Sequence, residues 1–257
     1  SSPIIHPLMN LSAPVVFVHG LMGTFQVPDL RRYFEPGWAL APDLIGYGSL
    51  YNVPPGDISI SGQVIHLREL VNREFGAEPI HLVGHSVGGV VAALFAHAFT
   101  ERVRSLVSVE GNFTLNDAFW SSSVAHMSQP EADQMLTALR QDPKAWLGQS
   151  GIPATPSLLE AGIHWLAQQP ASTVRAMAQS VVHETGSPEY LHKLHAVFAP
   201  HPVHLIAGER SRQDWDIQDW ALQEATSLTV IPNTGHLMML ENPSKFAVVV
   251  RNLLRET

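Results

Sequence analysis

The sequence predicts an α/β protein, a mostly parallel central sheet flanked by helices and interrupted by one helical insertion. Three observations carry this. Short apolar runs rich in β-branched residues alternate with helix-length patterns from Val15 to Gly111, which is the rhythm of βαβ units. The alternation stops between Asn112 and Ala199, where helical patterns dominate, and resumes from Pro202 to the end. The expected division is a core of residues 1–111 and 200–257 and a helical cap of residues 112–199. A chain of 257 residues, 45% hydrophobic and 15% charged, is long and apolar enough to bury such a core as one domain.

Each element has its own reason. Residues 1–14 hold one apolar patch, enough for at most one strand. "VVFVHG" (15–20) is a continuous apolar run ending at glycine, as suits a strand covered on both faces. Residues 27–35 suit a short helix, and "WALAPDLIGYG" (38–48) a short strand followed by a glycine-rich turn. Val64, Leu67, Leu70 and Val71 recur at helical spacing within residues 59–75. A strand at 79–85, a helix at 87–99 and a strand at 103–111 follow. The insertion shows helical patterns at 129–140, 156–168 and 171–182. Strands at 202–209 and 228–236 then enclose a helix near 216–225, and a last helix covers 243–254.

The bulk properties narrow the function. A net charge of -8 argues against nucleic acid or an anionic membrane as partner, since both attract basic surfaces. The absence of cysteine removes disulfides, thiolate metal sites and cysteine nucleophiles together. No transmembrane segment or signal peptide is visible, so the cytoplasm is the default location. A small molecule is the expected partner.

The most informative stretch is "HLVGHSVGG" (81–89), where strand turns directly into helix. Such a bend forces its central residue into a rare backbone conformation and requires small residues two positions to either side. Gly84 and Gly88 hold those positions around Ser86. The serine then projects from the strand tip, facing the N–H groups that open the helix. G-x-S-x-G between strand and helix is the nucleophile elbow, and here the chain resembles the α/β-hydrolase superfamily over nearly its whole length.

The resemblance implies a fold, an activity and a set of site residues. A serine hydroxyl needs a neighbouring base, and His236, on the loop after the last strand in "NTGHLMMLENP", holds the position of that base in the family. The acid has two possible places. After the penultimate strand, where family members commonly carry it, "AGERSRQDWD" puts Ser211, with Asp214 and Asp216 further on; Asp216 reads as a helix N-cap or first-turn residue. At the tip of the strand after the nucleophile helix, "LVSVEGN" ends in Glu110, a carboxylate that needs a partner if buried. Its spacing from Ser86 is similar to that of some haloalkane dehalogenases and zearalenone-type lactonases. Glu110 is the first choice and Asp214 the alternative. Val87 N–H and, by the likeness of "HGLMG" to the family's second donor loop, Leu21 N–H are the implied oxyanion donors.

Other residues receive plainer readings. Asp43 in "DLIGYG" resembles the family's structural turn, and His19 shapes the donor loop or borders the pocket. Met22, Phe119, Trp120, Trp146 and Trp165 are candidates to line an apolar pocket under the cap. His192, His195, His201 and His204 lie close in sequence without a recognisable ligand motif, which favours a cap-to-core hinge over a metal site. The expectation is a serine hydrolase acting on a partly apolar ester or lactone, of carboxylesterase or lactonase type, with no cofactor. Aspartate-nucleophile chemistry, as in dehalogenases and epoxide hydrolases, is disfavoured by Ser86. A C–C bond hydrolase or lyase, a cofactor-independent oxygenase and a non-hydrolytic ligand receptor remain as alternatives.

Overall fold

The computed structural model describes residues 11–257. The apolar patch read at the N-terminus lies mostly outside them. Among the described residues, six parallel strands form one sheet in the order β2-β1-β3-β4-β5-β6. They are β1 (Val15–Val18), β2 (Ala39–Leu40), β3 (Ile80–His85), β4 (Val103–Val109), β5 (Val203–Gly208) and β6 (Ser227–Ile231). Strands β1, β3 and β5 are buried along their whole length, which accounts for their unbroken apolar runs.

The strand order places the site. The chain leaves β1 toward the edge strand β2 and leaves β3 in the other direction, toward β4. Adjacent loops that part at the carboxyl ends of parallel strands open a crevice, the usual ligand position in open α/β sheets. His19–Leu21 follows β1 and Ser86 follows β3, so both stand at this crevice.

The helices of the first half are α1 (Pro28–Arg31), α2 (Ile60–Phe75) and α3 (Val87–Ala98). Ser59 caps α2 by accepting from Gly62 N–H at 3.0 Å, and Ile60, Val64, Leu67 and Val71 form its buried face. Helix α3 is nearly all apolar and small because the sheet, α2 and a later helix all pack against it.

The insertion contains α4 (Phe119–Ala125), α5 (Gln129–Gln141), α6 (Pro143–Gln149), α7 (Pro156–Leu166), α8 (Ala171–Thr185) and α9 (Pro188–Phe198). The patterns at 129–140, 156–168 and 171–182 correspond to α5, α7 and α8. Helices α4, α6 and α9 gave no such signal: α4 spends three of its seven positions on serine, and α6 is shorter than two full turns. The histidine-rich run is not a hinge loop; it continues from α9, packed on α3, almost directly into β5.

The C-terminal part adds α10 (Asp219–Glu224), α11 (Met238–Glu241) and α12 (Pro243–Arg255). Strand β6 stops at Ile231, short of the expected residue 236. Pro232 has no N–H for the ladder, Asn233 adopts φ 58°, and Thr234 Oγ1 donates to Ile231 O at 2.8 Å. This early stop frees residues 232–237 to form the loop that carries His236. Among the described residues, no helix is long and apolar enough to cross a membrane.

Candidate active site

Ser86 occupies the bend between β3 and α3 with φ 56° and ψ -121°, a conformation that costs a non-glycine residue free energy. The surroundings enforce it. A Cβ on Gly84 would meet Gly88 O at 2.5 Å, and one on Gly88 would meet Val18 O and His19 O at 2.3 Å. Only glycine permits this approach of β1, β3 and α3. The loop after β1 passes close above the serine, since a Cβ on Gly20 would come 3.2 Å from Ser86 Cβ. Tyr47, fully buried, donates to Leu21 O at 2.7 Å and fixes that loop.

His236 and Glu110 meet from opposite ends of the sequence. His236 Nδ1 donates to Glu110 Oε1 at 2.9 Å. The other oxygen, Oε2, accepts from Gly208 N–H at 2.7 Å and Ser211 Oγ at 2.6 Å. The Glu110 side chain is only 4% exposed. Burial alone would raise its carboxyl, but the hydrogen bond and charge of His236, with the bonds from Ser211 and Gly208, outweigh it and hold the group below the ordinary glutamate range. Glu110 itself has φ 46°, so both the serine and the carboxylate leave their strands through strained turns.

Asp214 forms no hydrogen bond or ion pair with His236; it sits exposed in a short turn, Arg212–Asp214, on the wall of the same cavity. Ser211 stands where the family commonly has its acid and donates to the carboxylate supplied from β4 instead. Asp216 is not a helix cap, because α10 begins only at Asp219; its Oδ2 accepts from Thr114 Oγ1 at 2.5 Å and Asn116 Nδ2 at 3.3 Å.

Ser86, Glu110 and His236 share a cavity of about 310 Å³. Leu21, Met22, Phe119, Trp120, Trp146 and Trp215 supply apolar walls, and Asn112, Ser121, Gln149 and Ser150 add polar groups. No hydrogen bond joins Ser86 Oγ to His236 here; contacts of this kind are often long without substrate and tighten in the complex. A larger hollow of about 720 Å³ between α1, β2 and α2 shares no wall residue with this cavity; its Ser49 donates to Asp43 Oδ2 and its His66 bonds Asp43 O, so these groups serve the turn.

Two residues expected at the pocket lie elsewhere. His19 is buried behind the loop that follows β1, its Nδ1 donating to Gly20 O at 2.8 Å and its Nε2 accepting from Leu44 N–H at 3.2 Å. Burial lowers its pKa to about 4, so it is a neutral brace. Trp165 packs its ring against Gly23, where a Cβ would meet it at 2.2 Å, and shores up the same loop from the insertion side. Asp43 organises its turn as read, accepting from Ser49 N–H at 3.0 Å and Ser49 Oγ at 2.8 Å.

Sequence reasoning passed over His85. It lies beside the His236 ring, 4.7 Å between centroids, and its Nε2 donates to His236 O at 2.8 Å. Burial holds its pKa well below the usual histidine value, helped by the charge of His236, so this ring stays a neutral donor that ties the His236 loop to the strand tip. The signal was available, because a histidine closing a wholly buried strand must find a polar partner. Trp215 and Asp117, also in the wall, were not singled out either.

The histidine-rich run shows no convergence. His195 pairs with Glu224 and stacks on Trp220, His201 bonds the carbonyls of Val197 and Thr100, and His204 bonds Ser227 and Thr257 hydroxyls. Among the described residues, no group of three or more histidines and carboxylates is placed to hold a metal ion.

Comparison with known proteins agrees with this architecture. The fold is similar to that of a thermophilic esterase from Thermogutta terrifontis, with TM-score 0.73, 22% identity, and 96% of this chain and 91% of that one covered. At that identity the likeness concerns the fold alone. In sequence the chain is 28% identical to Lipase 1 of Psychrobacter immobilis over 112 residues, 43% of this chain and 34% of the lipase. It is 30% identical over 115 residues to the 2-hydroxy-6-oxo-2,4-heptadienoate hydrolase of Pseudomonas putida, 40% of each chain. The matched region thus spans about a third of the lipase. Residues 15–249 match the family described as "Alpha/beta hydrolase family", and the chain belongs to that family.

Proposed function

We propose that this protein is a serine hydrolase that cleaves a carboxylic ester or lactone through an acyl-serine intermediate. The observation that carries the reading is the 2.9 Å bond from His236 Nδ1 to buried Glu110, with Ser86 on the same cavity wall. With Nδ1–H donated to the carboxylate, Nε2 is left with its lone pair and can act as base.

In this mechanism His236 Nε2 takes the proton from Ser86 Oγ as that oxygen attacks the carbonyl carbon. Val87 N–H, at the start of α3, and Leu21 N–H stabilise the charge that develops on the carbonyl oxygen. His236 returns the proton to the departing alkoxide, leaving the acyl group on Ser86. Water then attacks the acyl carbon, giving its proton to His236, which restores Ser86 as the acid leaves. Glu110 stabilises the imidazolium in both halves. Residues 112–199 serve as the cap, contributing Phe119, Trp120 and Trp146 to an apolar acyl or alcohol site.

The heptadienoate hydrolase relative favours a second reading, C–C bond hydrolysis at the same serine and histidine. Its named substrate is a carboxylate, and among the described residues no lysine or arginine lines this cavity to pair with one. The ester is therefore the better match.

The test combines fluorophosphonate labelling, read by intact mass, with hydrolysis of short p-nitrophenyl esters. The wild type should gain one adduct and Ser86→Ala none. Glu110→Gln should lower kcat by roughly 10³ to 10⁴, and Asp214→Asn by far less. An unlabelled, inert wild type would remove the acyl-serine mechanism, and an Asp214→Asn variant as impaired as Glu110→Gln would reassign the acid.

A further inference from the structure

The wall of the Ser86 cavity carries two carboxylates, Asp117 and Asp214, that the hydrolytic steps do not use. Three carboxylates line it, Glu110, Asp117 and Asp214, and among the described residues no lysine or arginine does. Glu110 is matched by His236 whenever the imidazole is protonated. Asp117 and Asp214 have no such counter-charge. Asp117 collects neutral donors only: its Oδ2 accepts from Phe113 N–H at 2.9 Å and Asp216 N–H at 3.3 Å, and its Oδ1 from Asn112 Nδ2 at 3.2 Å and Thr114 N–H at 3.4 Å. Burial raises its carboxyl against these bonds, as expected of a carboxylate facing no cation. Asp214 is exposed, with no ion pair.

Among the described residues, neither of the nearby arginines forms an ion pair with Asp117 or Asp214. Arg210 reaches the rim, donating to Ser150 O at 2.8 Å, but the same nitrogen pairs with Glu241 at 2.7 Å. Arg212 shares the turn of Asp214 and is not part of the wall. The rest of the lining is uncharged apart from the histidines, and part of it is aromatic. Trp120, Trp146 and Trp215 border the cavity, and Trp215 is held in place by donating from Nε1 to Gly111 O at 2.7 Å. Indole faces beside unneutralised carboxylates attract an organic cation and repel an anion, and the effect grows where water is partly excluded.

We infer that this site selects its substrate by charge: it prefers an ester that carries an ammonium group, accepts an uncharged one, and rejects one that carries a carboxylate. The inference rests on the hydrolase reading above for its catalytic test but names a property of the cavity that can be measured without turnover.

The experiment uses three p-nitrophenyl esters of one butanoyl chain ending in trimethylammonium, tert-butyl or carboxymethyl. The first two have the same shape, so their ratio isolates charge. The expected order of kcat/KM is ammonium, then tert-butyl, then carboxylate, with steps of about tenfold at low salt that shrink as salt is added. Asp214→Asn should lower the ammonium-to-carboxylate ratio by about tenfold, and Asp214→Lys by more. A carboxylate ester turned over as fast as the tert-butyl ester, or a ratio unmoved in both Asp214 variants, overturns the proposal. The N-benzylamides of the same three acids, titrated against intrinsic tryptophan fluorescence, read the charge order by binding. If no ester is cleaved, the hydrolase reading fails, while the amide order still upholds or refutes charge selection.

Discussion

The serine turn and the carboxylate turn perform the same geometric task in different ways. Both residues leave the carboxyl end of a central strand at positive φ, 56° for Ser86 and 46° for Glu110. The serine turn is held by its near neighbours in sequence, Gly84 and Gly88, and by the backbone of the adjacent β1. The carboxylate turn is held by groups some hundred residues or more away, Gly208, Ser211 and His236. A site built from local sterics depends on side-chain size, and a site built from distant hydrogen bonds depends on the assembled sheet. The two should therefore break differently.

The most damaging change should be Gly88→Ala. Its Cβ would lie 2.3 Å from two backbone oxygens, and backbone cannot swing aside as a side chain can. We expect loss of both stability and fluorophosphonate labelling, measured by urea denaturation and intact mass. A stable, labelled variant would show that the elbow is not sterically locked. Glu110→Gln should keep the fold and lose turnover, so the pair of variants separates steric from electrostatic control.

This contrast also explains what the sequence disclosed. The spacing of Gly84, Ser86 and Gly88 is a local signature, and the strands around it follow from unbroken apolar runs, so the fold and the strand-to-helix bend at Ser86 were legible. The acid was not settled by spacing, because Glu110 and Asp214 both lie near strand ends, and only the packing of β4 beside β5 shows which reaches His236. His19 and Trp165 were misassigned to the pocket for the same reason: a residue next to a functional loop in sequence can sit behind it in space. Asp216 and β6 failed at element ends, where the loop's own hydrogen bonds decide the boundary.

Acid should weaken the structure near β1 and β3 first. His19 and His81 are both lowered from 6.5 to about 4, mainly by burial. The unfolded chain takes up these protons first, so the contribution is intact above pH 6.5 and is lost as pH falls toward 4. We expect the thermal midpoint to drop by several degrees between pH 7.5 and 5. An unchanged midpoint would mean that these histidines are not held neutral. Glu110 works in a lower window, since its stabilising charge is lost only as pH falls through its depressed value.

The smallest effect should come from Ser211→Ala, which removes one donor of 2.6 Å from Glu110 while Gly208 and His236 remain. A loss in kcat of about tenfold, or 1–2 kcal/mol, is the expected scale. An effect equal to that of Glu110→Gln would make Ser211 a full partner in orienting the base rather than a support.

The short contact between Ser211 and Glu110 has a consequence for how such enzymes diverge. It means that two sites at the rim of the sheet address the same point in space, one occupied by a carboxylate and the other by a hydroxyl. Exchanging them, with Glu110→Ser and Ser211→Asp in one chain, would carry the negative charge to the neighbouring strand without altering the backbone path. Recovery of labelling in that double variant above the level of Glu110→Ser alone would show that the two wirings of the family lie a pair of substitutions apart, and that a lineage can pass between them through a protein that never loses its fold.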